Sequence, residues 1–214
     1  MQKKNYQLML ENEMRKNQAA GEKPSLLLHV CCAPCSSYVL EYLNEYFDIT
    51  LYFYNPNIAP EKEYAFRSDE VVRLISQMPC AKDVKFVQAE YEYEKFLSIA
   101  NGLKNENEGG ARCFRCYHLR LEKSARYASD NGFDYFTTTL SISPYKNAEK
   151  LNTIGDELGQ KYNIKYLFSD FKKKNGYKRS IELSKEYELY RQDYCGCEFS
   201  RLAAERMRNK EGNE

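Results

Sequence analysis

The 214-residue chain contains no tryptophan, only two histidines, and no apolar run long enough to span a bilayer, which takes about 20 residues. It also lacks GxGxxG and GxxxxGK[ST], the glycine-rich patterns of dinucleotide and P-loop sites. We therefore expect neither a nucleotide cofactor nor insertion into a membrane. Its first 24 residues are polar and show no signal-peptide run, so we expect a cytoplasmic protein.

The net charge of +1 gives no global preference for a charged partner, but the charge is unevenly distributed. Residues 112–127 and 171–214 carry an excess of lysine and arginine, whereas residues 88–108 carry an excess of glutamate. The two basic segments also contain cysteines, which is consistent with an anionic partner close to them. Charge alone favours the simpler interpretation that these are solvated helix faces.

The eight cysteines are too few for a disulfide-built secreted scaffold, which has roughly 8–10% cysteine. Seven of them fall in three groups: Cys31, Cys32 and Cys35; Cys113 and Cys116; Cys195 and Cys197. Clustered cysteines in a cytoplasmic protein indicate metal binding or redox chemistry, because stable disulfides are rare there. Cys80 stands alone and is interpreted as a structural or incidental thiol.

Short apolar runs alternate with segments of helical periodicity along most of the chain. We predict strands at 25–31, 49–55, 84–89, 134–140 and 164–170, and helices at 36–47, 64–78, 114–132, 147–162, 178–192 and 199–209. This alternation predicts an α/β fold: a Rossmann-like three-layer sandwich with a mainly parallel sheet and an added cysteine-rich region holding a metal cluster.

We expect an N-terminal extension (1–24), which is either a helix packed on the domain or a disordered arm, a single catalytic domain (25–209) and a short tail (210–214). Ligand sites in such sheets lie at the carboxyl ends of the strands. That rule places Cys31 and Cys32 after the first predicted strand and Lys146 beyond the fourth, at one common edge.

Spacing alone leaves three explanations for the cysteines. A zinc site needs four ligands, and Cys32, Cys35, Cys113 and Cys116 have suitable spacing. An iron–sulfur cluster also takes four thiolates. A thioredoxin-type dithiol needs only Cys32 and Cys35, which follow a strand and precede a helix.

Cys195-Gly196-Cys197 is a different kind of motif, because thiols two residues apart close a disulfide only in a small ring. Strained disulfides are easily reduced, so the pair suits reversible electron storage. The alternative interpretation is two further metal ligands.

Two polar segments follow strands. Tyr54, Asn55 and Asn57 can contact a polar ligand or form an ordinary turn. The hydroxyl-rich stretch 137–146 ends in Lys146 and can bind a phosphate or simply cap a helix.

The chain resembles the epoxyqueuosine reductase QueH family from about residue 25 to residue 202. The motifs that carry the resemblance are HVCCAPCS, FYNPNI, EY followed by R, RCFRCYHLRL, TTLSISPYK and YRQDYCGCEFS. The resemblance implies the last step of queuosine biosynthesis, in which two-electron reduction removes the epoxide oxygen of epoxyqueuosine at the tRNA wobble position. It also implies a [4Fe-4S] cluster, no cobalamin, a tRNA partner and an unidentified electron donor.

Carried over by motif, Cys31, Cys32, Cys113 and Cys116 are the expected cluster ligands. Cys195 and Cys197 are the expected redox-active pair, and Cys35 is a candidate ligand for an additional mononuclear iron. Our candidates for substrate contact are Tyr54, Asn55, Asn57, Lys146 and Arg191. Two rival functions stay open: a zinc-stapled nucleic-acid-binding module, and a thioredoxin-like dithiol oxidoreductase that uses Cys32 and Cys35.

Overall fold

The computed structural model describes residues 4–211 and is built from alternating strands and helices. The strands are β1 (Ser25–Val30), β2 (Asp48–Phe53), β3 (Lys85–Gln88), β4 (Tyr135–Thr138) and β5 (Lys165–Tyr166). The helices are α1 (Tyr6–Ala19), α2 (Ala33–Leu43), α3 (Glu61–Gln77), α4 (Tyr93–Ala100), α5 (Ala111–Asp130), α6 (Ala148–Tyr162), α7 (Gly176–Glu186) and α8 (Glu198–Glu211).

The five strands form one sheet in the order β3-β2-β1-β4-β5, and every pairing is parallel. The central strand β1 is rich in leucine and almost fully buried, as expected for a strand covered on both faces. Leu28, in its middle, pairs with Leu51 of β2 and Thr137 of β4. From β1 the chain adds β2 and β3 on one side of the sheet, and it then adds β4 and β5 on the other side. The switch point between β1 and β4 is where such folds bind ligands.

Helices cover both faces of the sheet, which confirms the predicted α/β sandwich. On one face α2, α3 and α7 pack together around a core that includes Phe47, Phe53 and Leu74. On the other face α5 packs on α6 around Leu121 and Phe136. A third, smaller apolar cluster joins α4 and α5 to the segment that leads into α8; its buried members are Phe96, Ala100, Cys116 and Cys197.

The N-terminal extension takes the first of its two expected forms: it contains α1, whose Leu10 and Met14 are buried in the first core. The structure differs from the predicted elements in three places, of which the first is α4, a helix that the sequence pattern does not predict. The last strand is two residues long, and α7 ends at Glu186 because the backbone turns left-handed at Glu188 (φ 51°). Most of the predicted tail, residues 212–214, lies outside the described residues, as do residues 1–3 of the extension. Within residues 4–211, no helix combines the length and the apolar character that a bilayer span requires.

Gly155 of α6 is a point of close packing, since a Cβ there would lie 2.3 Å from carbons of the Tyr166 ring. That ring is buried edge-on against Phe136 at 5.1 Å and cannot move aside freely. We expect Gly155→Ala to lower the free energy of unfolding by roughly 1–3 kcal/mol through overpacking, despite the better helix propensity of alanine. Urea unfolding followed by circular dichroism measures it. The control is Glu157→Ala at an exposed position of α6; equal stability of the two variants would contradict the expectation.

Candidate functional site

The first thiol group lies where β1 ends and α2 begins. Cys32 is the N-cap of α2, and Pro34 in the first turn fixes the helical start. The Sγ atoms of Cys31 and Cys32 are 3.7 Å apart. With the Sγ of Cys35, all three lie within 4.8 Å of one another, and in the part of the chain that the structure describes they are the one such group able to hold a metal ion.

The electrostatics of this group favour an ionised sulfur at Cys31. Hydrogen bonds from Cys32 and Cys35, together with the nearby Arg120 cation, hold the pKa of the Cys31 thiol well below its usual value. The same coupling raises the pKa of Cys32 to about 12. Thiolate is the nucleophilic and metal-binding form of cysteine, so Cys31 is the thiol of this group that is best prepared for either role.

The other four clustered cysteines meet at a second place. Cys113 and Cys116 lie in the first two turns of α5 and share a face of that helix, while Cys195 and Cys197 lie in the loop before α8. All four line one cavity of about 20 Å³, which has room for about one water molecule. Its other lining residues are Asn57, Phe96, Arg112, Tyr117, Arg120 and Lys146.

Cys195 and Cys197 face each other as free thiols with their Sγ atoms 3.5 Å apart. Gly196 between them has φ 107°, a conformation that favours glycine. Ser200 fixes both ends of the pair: its hydroxyl accepts from the Cys195 amide at 3.0 Å, and its own amide donates to the Cys197 Sγ at 3.4 Å.

Only one thiol of this cavity has a lowered pKa. The Cys197 hydrogen bond and the Lys146 cation hold the pKa of Cys195 well below its usual value. Burial instead raises the pKa of Cys113, and raises that of Cys116 to about 11. Cys195 is therefore the thiol of the cavity that ionises most readily, while burial favours the protonated forms of Cys113 and Cys116.

Arg120 of α5 lies between the two thiol groups and is a functional candidate that the sequence prediction missed. It is 3% exposed; its Nη2 donates to Asn55 Oδ1 at 2.5 Å, and its Nε lies 3.4 Å from His29 Nε2. Its charge favours the thiolate forms of both Cys31 and Cys116. Within residues 4–211 its side-chain partners are the uncharged His29 and Asn55 and no carboxylate pairs with it, and a buried cation needs an opposite charge. Thiolates, free or bound to a metal, are the anions placed to supply it.

The five predicted substrate-contact residues are not all brought together. Asn57 and Lys146 line the cavity; the Asn57 Oδ1 is buried without a partner, and the Lys146 Nζ lies 2.6 Å from a Glu108 carboxylate oxygen. Asn55 is buried nearby, but both ends of its amide are used within the protein, by Arg120 and by the Val30 carbonyl.

The remaining two candidates lie elsewhere. Tyr54 is 1% exposed, with Lys123 over its ring at 5.5 Å. Arg191 is exposed and donates to the Ser184 hydroxyl of α7 at 3.1 Å, so it does not line the cavity.

A parallel α/β domain with seven clustered thiols, two of them with lowered pKa values, has the features of an oxidoreductase that uses thiol or metal chemistry. Residues 26–203 match the family model described as epoxyqueuosine reductase QueH. The chain belongs to this family.

Curated relatives support the assignment along nearly the whole chain. The epoxyqueuosine reductase QueH of Staphylococcus epidermidis is 45% identical, over 94% of this chain and 86% of that protein. Its counterpart from Streptococcus pyogenes is 44% identical, over 93% of this chain and 79% of its own length. The Thermotoga maritima protein of the same name is 38% identical, over 83% of this chain and 91% of that protein.

Proposed function

We propose that this protein reduces epoxyqueuosine to queuosine in tRNA, the last step of queuosine biosynthesis. In a chain that belongs to this family, the observation that carries the proposal is the Cys195–Cys197 dithiol beside Lys146 in a cavity at the carboxyl edge of the sheet. Removing the epoxide oxygen as water takes two electrons and two protons. Oxidation of the Cys195 thiolate and the Cys197 thiol to one disulfide releases two electrons and one proton, and water supplies the second proton, so the step balances. A separate reductant then restores the dithiol.

The buried cysteines fit an iron–sulfur cofactor. We assign Cys31, Cys32, Cys113 and Cys116 as ligands of a [4Fe-4S] cluster, with Arg120 supplying the positive charge that four thiolates call for. Arg120 links the two cysteine groups that would hold the cluster, because its charge favours the thiolate forms of both Cys31 and Cys116. Cys35, which lies with Cys31 and Cys32, is our candidate ligand for an additional iron. When bound, such a centre supplies single electrons and Lewis acidity.

The chain's own residues have distinct parts in this proposal. The Cys197 hydrogen bond and the Lys146 ammonium lower the pKa of Cys195 and so favour its thiolate, the form that gives up electrons. The unpartnered Oδ1 of Asn57 is a hydrogen-bond acceptor for a hydroxyl or amine of the modified nucleoside. Both the nitrogen and the oxygen of the Asn55 side-chain amide already have hydrogen-bond partners within the protein. We therefore assign the polar contact with the nucleoside to Asn57.

The experiment that tests the function is turnover of tRNA that carries epoxyqueuosine, with protein purified without oxygen and dithionite as reductant. Nucleoside digestion and mass spectrometry should show loss of one oxygen, and the protein should contain about four irons and matching sulfide. A colourless zinc protein without turnover would favour the nucleic-acid-binding module. A metal-free protein that reduces disulfides through Cys32 and Cys35 would favour the dithiol oxidoreductase.

We place the protein in the cytoplasm, a reducing compartment that suits its eight free thiols.

Tyr145 is our candidate for stacking on a base of the tRNA. It is 76% exposed and directly precedes Lys146, whose side chain lines the cavity. Base–aromatic stacking contributes about 1–3 kcal/mol per base. We therefore expect Tyr145→Ala to raise KM for tRNA by roughly 5- to 100-fold with kcat unchanged, as measured by steady-state kinetics.

Tyr145→Phe keeps the stacking surface and should retain the KM of the unaltered protein. Leu8→Ala removes a different exposed apolar side chain, 47% exposed on α1, and serves as the control. A KM for Tyr145→Ala equal to that of the control would remove Tyr145 from the tRNA interface.

A further inference from the structure

Arg67 of α3 is one of the largest fully buried side chains of the protein, at 1% exposure. Burial of a guanidinium is costly unless each of its polar groups is satisfied. Its Nε is held by a Glu63 carboxylate oxygen at 2.7 Å, but its Nη2 is buried without a hydrogen-bond partner. A buried arginine with an unused donor indicates that the side chain serves something other than stability.

The guanidinium packs directly on the loop that carries the redox pair. The Tyr194 ring lies 5.1 Å from its Cζ, a cation–π contact. At Gly196, an added Cβ would lie 3.1 Å from the Arg67 Nη1 and 2.8 Å from a carbon of Ile58. The Gly196 carbonyl in turn accepts a hydrogen bond from the Ala59 amide at 3.0 Å. The loop is thus held between α3 and the segment that follows β2.

We propose that Arg67 is a positioning residue for the reductive step: through its contacts with Tyr194 and Gly196 it holds the Cys195–Cys197 loop in its dithiol form. This inference rests on the proposed function, in which that pair supplies the electrons. The loop that Arg67 packs against is in the dithiol form, with the Sγ atoms of Cys195 and Cys197 3.5 Å apart, so contacts that hold this conformation favour the dithiol over the disulfide. At 1% exposure Arg67 cannot touch the tRNA.

The test is the dithiol–disulfide equilibrium of Cys195 and Cys197 in the full chain, purified without oxygen and equilibrated in glutathione buffers. Alkylation, trypsin and mass spectrometry report it directly, because cleavage after Arg191 and Arg201 leaves both cysteines on one peptide. In Arg67→Met we expect the equilibrium constant for reduction to fall at least tenfold, which corresponds to about 30 mV. We expect kcat to fall as well, with KM for tRNA unchanged. Arg67→Lys keeps the charge but not the shape, and should show a smaller fall of at least threefold.

Arg73→Met is the matched control, since Arg73 lies on the same helix and donates to the carbonyls of Tyr187 and Glu188 in the chain segment leading to the loop. It should leave the equilibrium constant within twofold of the unaltered protein. If the equilibrium constant of Arg67→Met also stays within twofold, the inference is overturned while the proposed function stands. If the methionine variant does not fold, the same criterion applies to Arg67→Lys. If the unaltered protein forms no Cys195–Cys197 disulfide in any buffer, the redox role of the pair and the inference both fail.

Discussion

Cys195→Ser is expected to abolish reduction of epoxyqueuosine, with turnover falling by roughly 10³-fold or more, while the bound iron is unchanged. A hydroxyl at this position cannot be oxidised to a disulfide, so the remaining thiol of Cys197 cannot deliver two electrons. Single-turnover assays without oxygen, read by mass spectrometry of the nucleoside, measure the loss. Because the two thiols act as one unit, the double variant with Cys197→Ser should be no worse than the single one.

Cys80→Ser is the control for this prediction. Cys80 is also a partly buried free thiol, but it packs against the first core and does not line the cavity. We expect this variant to retain full turnover. Appreciable turnover by Cys195→Ser would mean that the electrons reach the epoxide without this pair.

The second large effect is expected at Cys116, which burial holds protonated in the absence of a metal. Cys116→Ser should lose most of the bound iron and sulfide together with the visible absorption band, because a cluster with one missing thiolate is poorly retained. Turnover should be lost with the iron. Iron and sulfide analysis after reconstitution without oxygen measures this effect independently of activity.

Two further variants sharpen that result. Cys35→Ser should keep the four irons of the cluster and lose at most the additional iron, because we assign Cys35 to that site only. Cys197→Ser should keep its iron while losing turnover, although Cys197 lines the same cavity as Cys116. Normal iron content in Cys116→Ser would exclude this residue as a ligand.

The sheet and its flanking helices were predictable because their apolar residues follow simple periods. The leucine-rich run at 25–30 and the amphipathic pattern of α5 are examples. In contrast, α1 buries only Leu10 and Met14 among its apolar residues, together with two polar side chains, so its pattern gave no clear signal. The prediction for β5 is too long, because the chain leaves the sheet soon after Tyr166: the Leu167 amide still donates to the Phe136 carbonyl of β4, but the Ser169 amide donates to the Asn152 side chain of α6.

The candidate site was predictable where chemistry shows in residue type, as with the clustered cysteines, and not where it depends on burial. Arg67 and Arg120 look like surface residues in the sequence, yet both are buried. One signal was present: Arg67 lies on the same helical face as Tyr64, Val71 and Leu74, the stripe that α3 buries. An arginine within an apolar stripe points to a buried counter-charge. Which of the predicted polar residues reach the cavity depended on loop geometry, which sequence spacing does not determine.

The small third core, formed by Phe96, Ala100, Cys116 and Cys197, has a consequence for the dynamics of the site. Elements that share few buried contacts with the main cores open at a lower free energy than the sheet does. Cys195 and Phe199, at the start of α8, pack on this small core. The backbone amides of this segment are therefore expected to exchange with solvent faster than those of β1, the buried central strand that leads into Cys31 and Cys32.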